Sequence, residues 1–233
     1  MIEVTRVAPG VDLVRLSRPA RRNALDLAGF RALAQAWREI ESGDTRVAVI
    51  TGTRDFSSGA DLATLDADVR ATGRQAWVDI EQALLRDVVL TTPVVSAVEG
   101  LCFGAGMELV GATDIRIAGG DAVFALPEVR HGFIPSGGSV ARLPRQLGPA
   151  AAMQILLTGA RFGADRLFHW GFLSEVVGPG EALDRALELA GTIAGHPVAA
   201  VAAIKRAVAE GLAGTLDEAY AAESRIGREI LRR

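Results

Sequence analysis

Apolar and polar positions change rhythm along the chain, and the rhythm predicts most of its elements. "VDLVRLS" (11–17) alternates, which predicts a half-buried strand, and "RPARRN" reads as a basic turn. "ALDLAGFRALAQAWREIE" (24–41) repeats its apolar residues near every 3.6 positions and predicts a helix, closed by "SGD". "RVAVITG" (46–52) and "VVSAVEG" (94–100) are short buried strands ending in glycine. Between them come a Gly/Ser loop, "TRDFSSGADL", and a helix over about 74–90, stopped by Pro93. "DIRIA" (114–118) and "AVFAL" (122–126) predict two further strands. After Pro135 the pattern turns helical, at 138–146, 149–158, 163–170, 181–195, 197–211 and 215–231, with one strand-like break, "LSEVV" (173–177). Strands interleaved with helices, then helices alone, predict an α/β fold with a helical C-terminal region and no independent second domain.

One design occurs twice. "VAVITG…FSSGADL" and "VVSAVEG…FGAGMEL" each give a buried strand, a terminal glycine, an aromatic, a loop of small residues, an acid and a leucine. Successive layers of a repetitive architecture produce such an echo, and it sets Ala60 and Ala105 in equivalent places.

Composition narrows the class. The 233 residues are 49% hydrophobic and 23% charged, a globular balance, and a net charge of -3 offers no bulk attraction to nucleic acid or acidic lipid. No apolar run approaches the ~18 residues of a membrane span, and the first twenty residues carry no signal-like apolar core. The expected location is the cytoplasm. The lone cysteine, Cys102, sits in an apolar run and reads as a buried structural thiol. His131, His169 and His196 show no zinc-type spacing with it, and "GAGMELVG" lacks the third glycine of a dinucleotide fingerprint, Leu109 standing there instead. Trp37, Trp77 and Trp170 read as core or subunit packing.

Candidate chemistry gathers at the two repeated loops. A Gly-Ala loop that feeds a helix leaves backbone N–H groups without internal acceptors, and small residues let a ligand oxygen come close. Two such loops converging in space make an oxyanion site; packing of helix against sheet explains the same residues without one. Glu108 follows the second loop and Glu128 lies in "FALPEVRHGF". Two carboxylates in apolar surroundings can divide the roles of acid and base, while an isolated glutamate more often caps a helix or pairs with an arginine such as Arg116 or Arg130. Asp61 and Ser139 each read as a helix cap, and His131 as a turn residue with a structural or surface role.

"RPARRNAL", "FSSGADL", "VEGLCFGAGMELVGATDIRIA", "FALPEVRHGFIPSGGSVARLPRQLG" and "LLTGARFGADRLFHWGFLSEVV" occur in the order and spacing of the enoyl-CoA hydratase/isomerase (crotonase) superfamily. The chain resembles that family over roughly residues 2 to 210. The resemblance implies a spiral of ββα repeats over residues 1–180, with 181–233 a helical C-terminal region of the same unit that helps build a homotrimer or a dimer of trimers. It implies an acyl-CoA thioester as substrate, with coenzyme A part of that substrate and no metal or redox cofactor. It further implies that the N–H groups of Ala60 and Ala105 hold the thioester oxygen, and that Glu108 and Glu128 position and deprotonate water, Glu128 returning a proton to C2. Arg22, Ala24, Ala60, Asp61, Leu62 and Gly104 fall where the family cradles coenzyme A and substrate.

Three departures accompany the resemblance. Ala105 stands where glycine is usual, Ser139 where glycine is common, and the chain stops at "GREILRR", short of most relatives. Both glutamates together favour a hydratase. A Δ3,Δ2-enoyl-CoA isomerase needs Glu128 alone, a non-catalytic acyl-CoA binder needs neither, and a serine hydrolase built on Ser139 and His131 is the reading from outside the family.

Overall fold

The valine-rich stretches at 47–51 and 94–98 bury every side chain, as parallel strands covered on both faces must. The computed structural model describes residues 1–231. Its first turn of chain is a hairpin of β1 (Ile2–Ala8) and β2 (Val11–Leu16), a 3-10 turn at Pro19–Arg21 and α1 (Leu27–Ser42). The second is β3 (Val47–Thr51), α2 (Leu62–Thr72) and α3 (Arg74–Ala83). The third is β4 (Val94–Val98), β5 (Leu101–Phe103) and α4 (Ala105–Val110). The fourth is β6 (Ile115–Gly119), β7 (Val123–Ala125) and a 3-10 turn at Pro127–His131. Then follow α5 (Ser139–Gln146), α6 (Pro149–Thr158), β8 (Phe162–Gly163), α7 (Ala164–His169), β9 (Glu175–Val177), α8 (Ala182–Ala194), α9 (Val198–Ala213) and α10 (Leu216–Leu231).

The first turn lays β1 and β2, each of the next three turns one strand, and the later chain β9 into a six-stranded sheet of order β1-β2-β3-β4-β6-β9, parallel except for the β1–β2 hairpin. Each turn also lays a short extended stretch into a second stack. Leu25 bridges Ala60, Ser57 bridges Cys102, and β5 pairs with β7. The sequence echo is therefore a real repeat, and its third copy ends at the turn carrying Glu128.

Strand alternation divides the core into two layers. Val14, Leu16, Ala48, Ile50, Val94 and Val98 join the main cluster with α1, while Val11, Leu13, Val47, Val49, Val95, Ala97 and Ile117 face α8. There Ala182, Ala186, Ala190 and Ala194, one helical turn apart, present only methyl groups to the sheet. Among the described residues no single helix is long and apolar enough to cross a membrane; α8 and α9 pass only as a pair bent by 109°.

The structure adds two elements that the sequence pattern left unassigned and shortens a third. β1 pairs with β2 but is exposed along most of its length, so backbone bonds hold it and no burial pattern marks it. α2 has no buried residue and lies where the sequence pattern assigned no element. The helix expected to run to about residue 90 ends at Ala83, where Leu85 turns into the left-handed region (φ +53).

Candidate active site

The two repeated loops meet edge to edge. The N–H of Ser57 donates to Leu101 O and the N–H of Phe103 to Ser57 O, both at 2.9 Å, so the strand-like bridge sets one loop upon the other. Gly59 (φ +98) sits so close to the second loop that a Cβ there would stand 2.8 Å from Phe103 O and 3.4 Å from Ala105 N. Gly104 (φ +51) adopts a conformation that side chains resist, and a Cβ on it would stand 3.1 Å from Glu128 Oε1.

This approach leaves two N–H groups free. Leu25 pairs with the first loop through its own N–H to Gly59 O and through the N–H of Asp61 to Leu25 O, both 2.8 Å. Ala60 lies between those bonds and spends neither of its groups on them. Ala105 opens α4, where the first N–H has no intrahelical acceptor. Neither N–H has a protein acceptor among the described residues.

Both alanines line a cavity of about 200 Å³ with Leu62, Gly104, Glu108 and Glu128. Its apolar wall includes Phe30, Leu65, Trp77, Ile80 and Leu84. Glu108 is 5% exposed and Glu128 6%. Burial pushes each carboxyl up to about 7. Glu108 keeps a counterweight: it accepts from the N–H of Ser139 at 3.4 Å, and the charge of Arg142 also opposes protonation. Among the described residues Glu128 has no such donor from a neighbouring element and its buried Oε2 has no partner, and the charge of Glu108 raises it further.

The remaining residues expected at the site stand apart from this cavity. Asp61 does not cap α2; its carboxylate pairs with Arg18 (2.9 Å) and Arg21 (3.5 Å), because two guanidiniums outbid an exposed helix end. Arg22 lines a separate groove with Asn23, Thr53 and Arg54, and the buried Ala24 gives its carbonyl to Arg18. Ser139 begins α5 without a side-chain cap, and its backbone N–H serves Glu108. No hydrogen bond joins Ser139 to His131 among the described residues, so no serine–histidine dyad is formed. Trp77 is not core packing: it is 48% exposed and lines the cavity, whereas Trp37 is buried and donates to Ala83 O at 3.0 Å. Cys102 is fully buried and its thiol is pushed up by that burial.

Sequence reasoning missed His131, Phe133 and Ile134 as cavity residues. The signal available was position: they follow Glu128 within one turn and the next loop.

Comparison with known proteins identifies the family. The enoyl-CoA hydratase/isomerase family model matches residues 6–232. Enoyl-CoA hydratase EchA19 of Mycobacterium tuberculosis is 36% identical over 224 residues, covering 94% of this chain and 84% of that protein. Carnitinyl-CoA dehydratase of Salmonella enteritidis is 35% identical over 213 residues, covering 88% of this chain and 78% of that protein. The crystal structure of an enoyl-CoA hydratase from Bacillus anthracis superimposes with a TM-score of 0.94 at 30% identity, covering 100% of this chain and 91% of that one. The repeated layers, the helical C-terminal region and these matches together make the chain a crotonase-fold member of the enoyl-CoA hydratase/isomerase family.

Proposed function

We propose that this protein is an enoyl-CoA hydratase, adding water across the 2,3 double bond of an enoyl-CoA thioester. The observation that carries the reading is a pair of buried carboxylates, both pushed up to about 7, in one cavity with two unengaged backbone N–H groups. The N–H groups of Ala60 and Ala105 bind the thioester oxygen. When water oxygen bonds to C3, the displaced electron pair moves through C2 to that oxygen, and the two donors hold the enolate. Each such donor is worth roughly 3 kcal/mol at a preorganised site.

The environments of the two glutamates support a division of roles. Glu108, with a backbone donor and an arginine acting on it, is the carboxylate that takes the proton from water. Glu128, without an outside donor and facing a second acid, keeps a proton near neutrality and gives it to C2. The charge of Glu108 raises Glu128, so the proton that Glu108 takes from water is passed back to Glu128 to restore the pair. Coenzyme A runs out of the cavity past Leu62 and Gly104 toward Asp61 and the Arg22–Ala24 loop. The names of the two relatives support hydration chemistry, since dehydration is its reverse.

The test follows the loss of conjugated-thioester absorbance of crotonyl-CoA. Turnover that falls about a hundredfold or more in both Glu108→Gln and Glu128→Gln supports the hydratase pair. A wild type that ignores crotonyl-CoA but isomerises a 3-enoyl-CoA through Glu128 alone refutes it in favour of the isomerase. Thioester binding with neither reaction leaves an acyl-CoA binder.

A further inference from the structure

Glu108 is held by a segment that is itself held. Arg142, on the first turns of α5, donates from Nη1 to Gly137 O and to Leu84 O, both at 3.3 Å, and from Nη2 to Leu85 O. These bonds tie the end of α3 to the 137–139 segment whose Ser139 N–H reaches Glu108. Leu85 keeps its left-handed backbone with its carbonyl on this arginine, and Leu84 lines the cavity. Gly138 (φ +123) makes room for the guanidinium; a Cβ there would stand 2.6 Å from Nη1.

The hydrogen-bond partners of Arg142 are all main-chain carbonyls, and no carboxylate forms a salt bridge with it among the described residues. Its charge is therefore left to act through space on Glu108. The other charges that bear on this pair are Glu128, facing Glu108 from the 127–131 turn, Arg86 and Asp87, which lie beyond Leu85 and act on Arg142, and the buried Arg116 of β6, whose charge is set against that of Arg142.

We propose that Arg142 is a positioning residue for Glu108: it fixes the 137–139 segment and so holds the Ser139 N–H against the Glu108 carboxylate that takes the proton from water. The role in turnover rests on the hydratase reading; the effect on Glu108 does not. Two measurements on Arg142→Gln and Arg142→Lys separate them. The first is infrared titration of the Glu108 carboxyl band, assigned by its loss in Glu108→Gln. R142Q raises the midpoint by roughly one pH unit, and R142K leaves it near the wild-type value. The second is the pH profile of crotonyl-CoA hydration. R142Q lowers kcat at least about tenfold with KM within about threefold, and moves the acidic limb of kcat/KM upward with the infrared midpoint. R142K restores the limb but only part of kcat, because one ammonium cannot span three carbonyls. An unchanged midpoint in R142Q overturns the proposal, whatever the fate of the hydratase reading. If R142Q does not fold, R142K decides alone: a reduced kcat with KM near wild type supports the proposal, and a wild-type kcat overturns it. An inert wild type with a raised R142Q midpoint refutes the hydratase reading and leaves the effect on Glu108 standing.

Discussion

At the scale of single residues, the cost of this site is the burial of two acids. Both carboxyls rise from an ordinary 4.5 to about 7, so between those values the folded chain holds protons that the unfolded chain has released. Stability therefore falls as pH rises through that window. Glu128→Gln, a neutral mimic of the protonated acid, should match wild type in urea unfolding at pH 5 and exceed it by about 1–3 kcal/mol at pH 8. An equal gap at both pH values would show that burial does not set this acid. Gly59 gives a complementary test. Gly59→Ala forces a methyl toward Phe103 O and Ala105 N, and should lower kcat for crotonyl-CoA more than tenfold by misplacing one N–H. Unchanged kcat there would remove the oxyanion role of the loop junction. The small residues at Ala60 and Ala105 were legible in sequence because they repeat one local pattern, whereas the pairing of Glu108 with Glu128 came from the family resemblance. The partners of Asp61 and Ser139 were not legible, since Arg18 and Glu108 reach them across 43 and 31 positions of chain.

At the scale of elements, legibility followed burial. α1 was readable because Phe30, Leu33, Ala34, Trp37 and Ile40 share one buried face, and β3 and β4 because every residue is buried. β1 and α2 left no such mark, being held by backbone pairing or lying on the surface. The early end of α3 was invisible for another reason: it depends on Leu84 and Leu85 offering carbonyls to Arg142, a contact 57 or 58 positions away. Element ends that are locally capped behave differently. Asp26 accepts from the N–H of Gly29 at 2.8 Å, so Asp26→Ala should cost about 1 kcal/mol in thermal or urea unfolding while leaving turnover within about twofold. A much larger loss of turnover would mean that its 3.5 Å pairing with Arg18 supports the site as well.

At the scale of the whole molecule, repetition is what makes the site. Each turn of chain adds at least one strand to the large sheet and a short stretch to the second stack, so the ends of successive turns lie side by side. The second turn supplies Ala60, the third Ala105 and Glu108, and the fourth Glu128; one cavity collects all four. Outside it, Met153, Leu157, Phe168, Ile204 and Leu212 are exposed apolar residues on the helical half. The assembly expected from the family is a homotrimer or a dimer of trimers, and light scattering at micromolar concentration reads it directly. A monomer there would separate this chain from that expectation.

The hydratase reading meets its most direct test in the product formed from crotonyl-CoA in deuterated water, read by NMR. A hydratase yields a 3-hydroxyacyl thioester carrying one deuterium at C2. Deuterium entering at C2 or C4 of a shifted double bond, with no oxygen added at C3, would contradict hydration and assign the cavity to isomerisation.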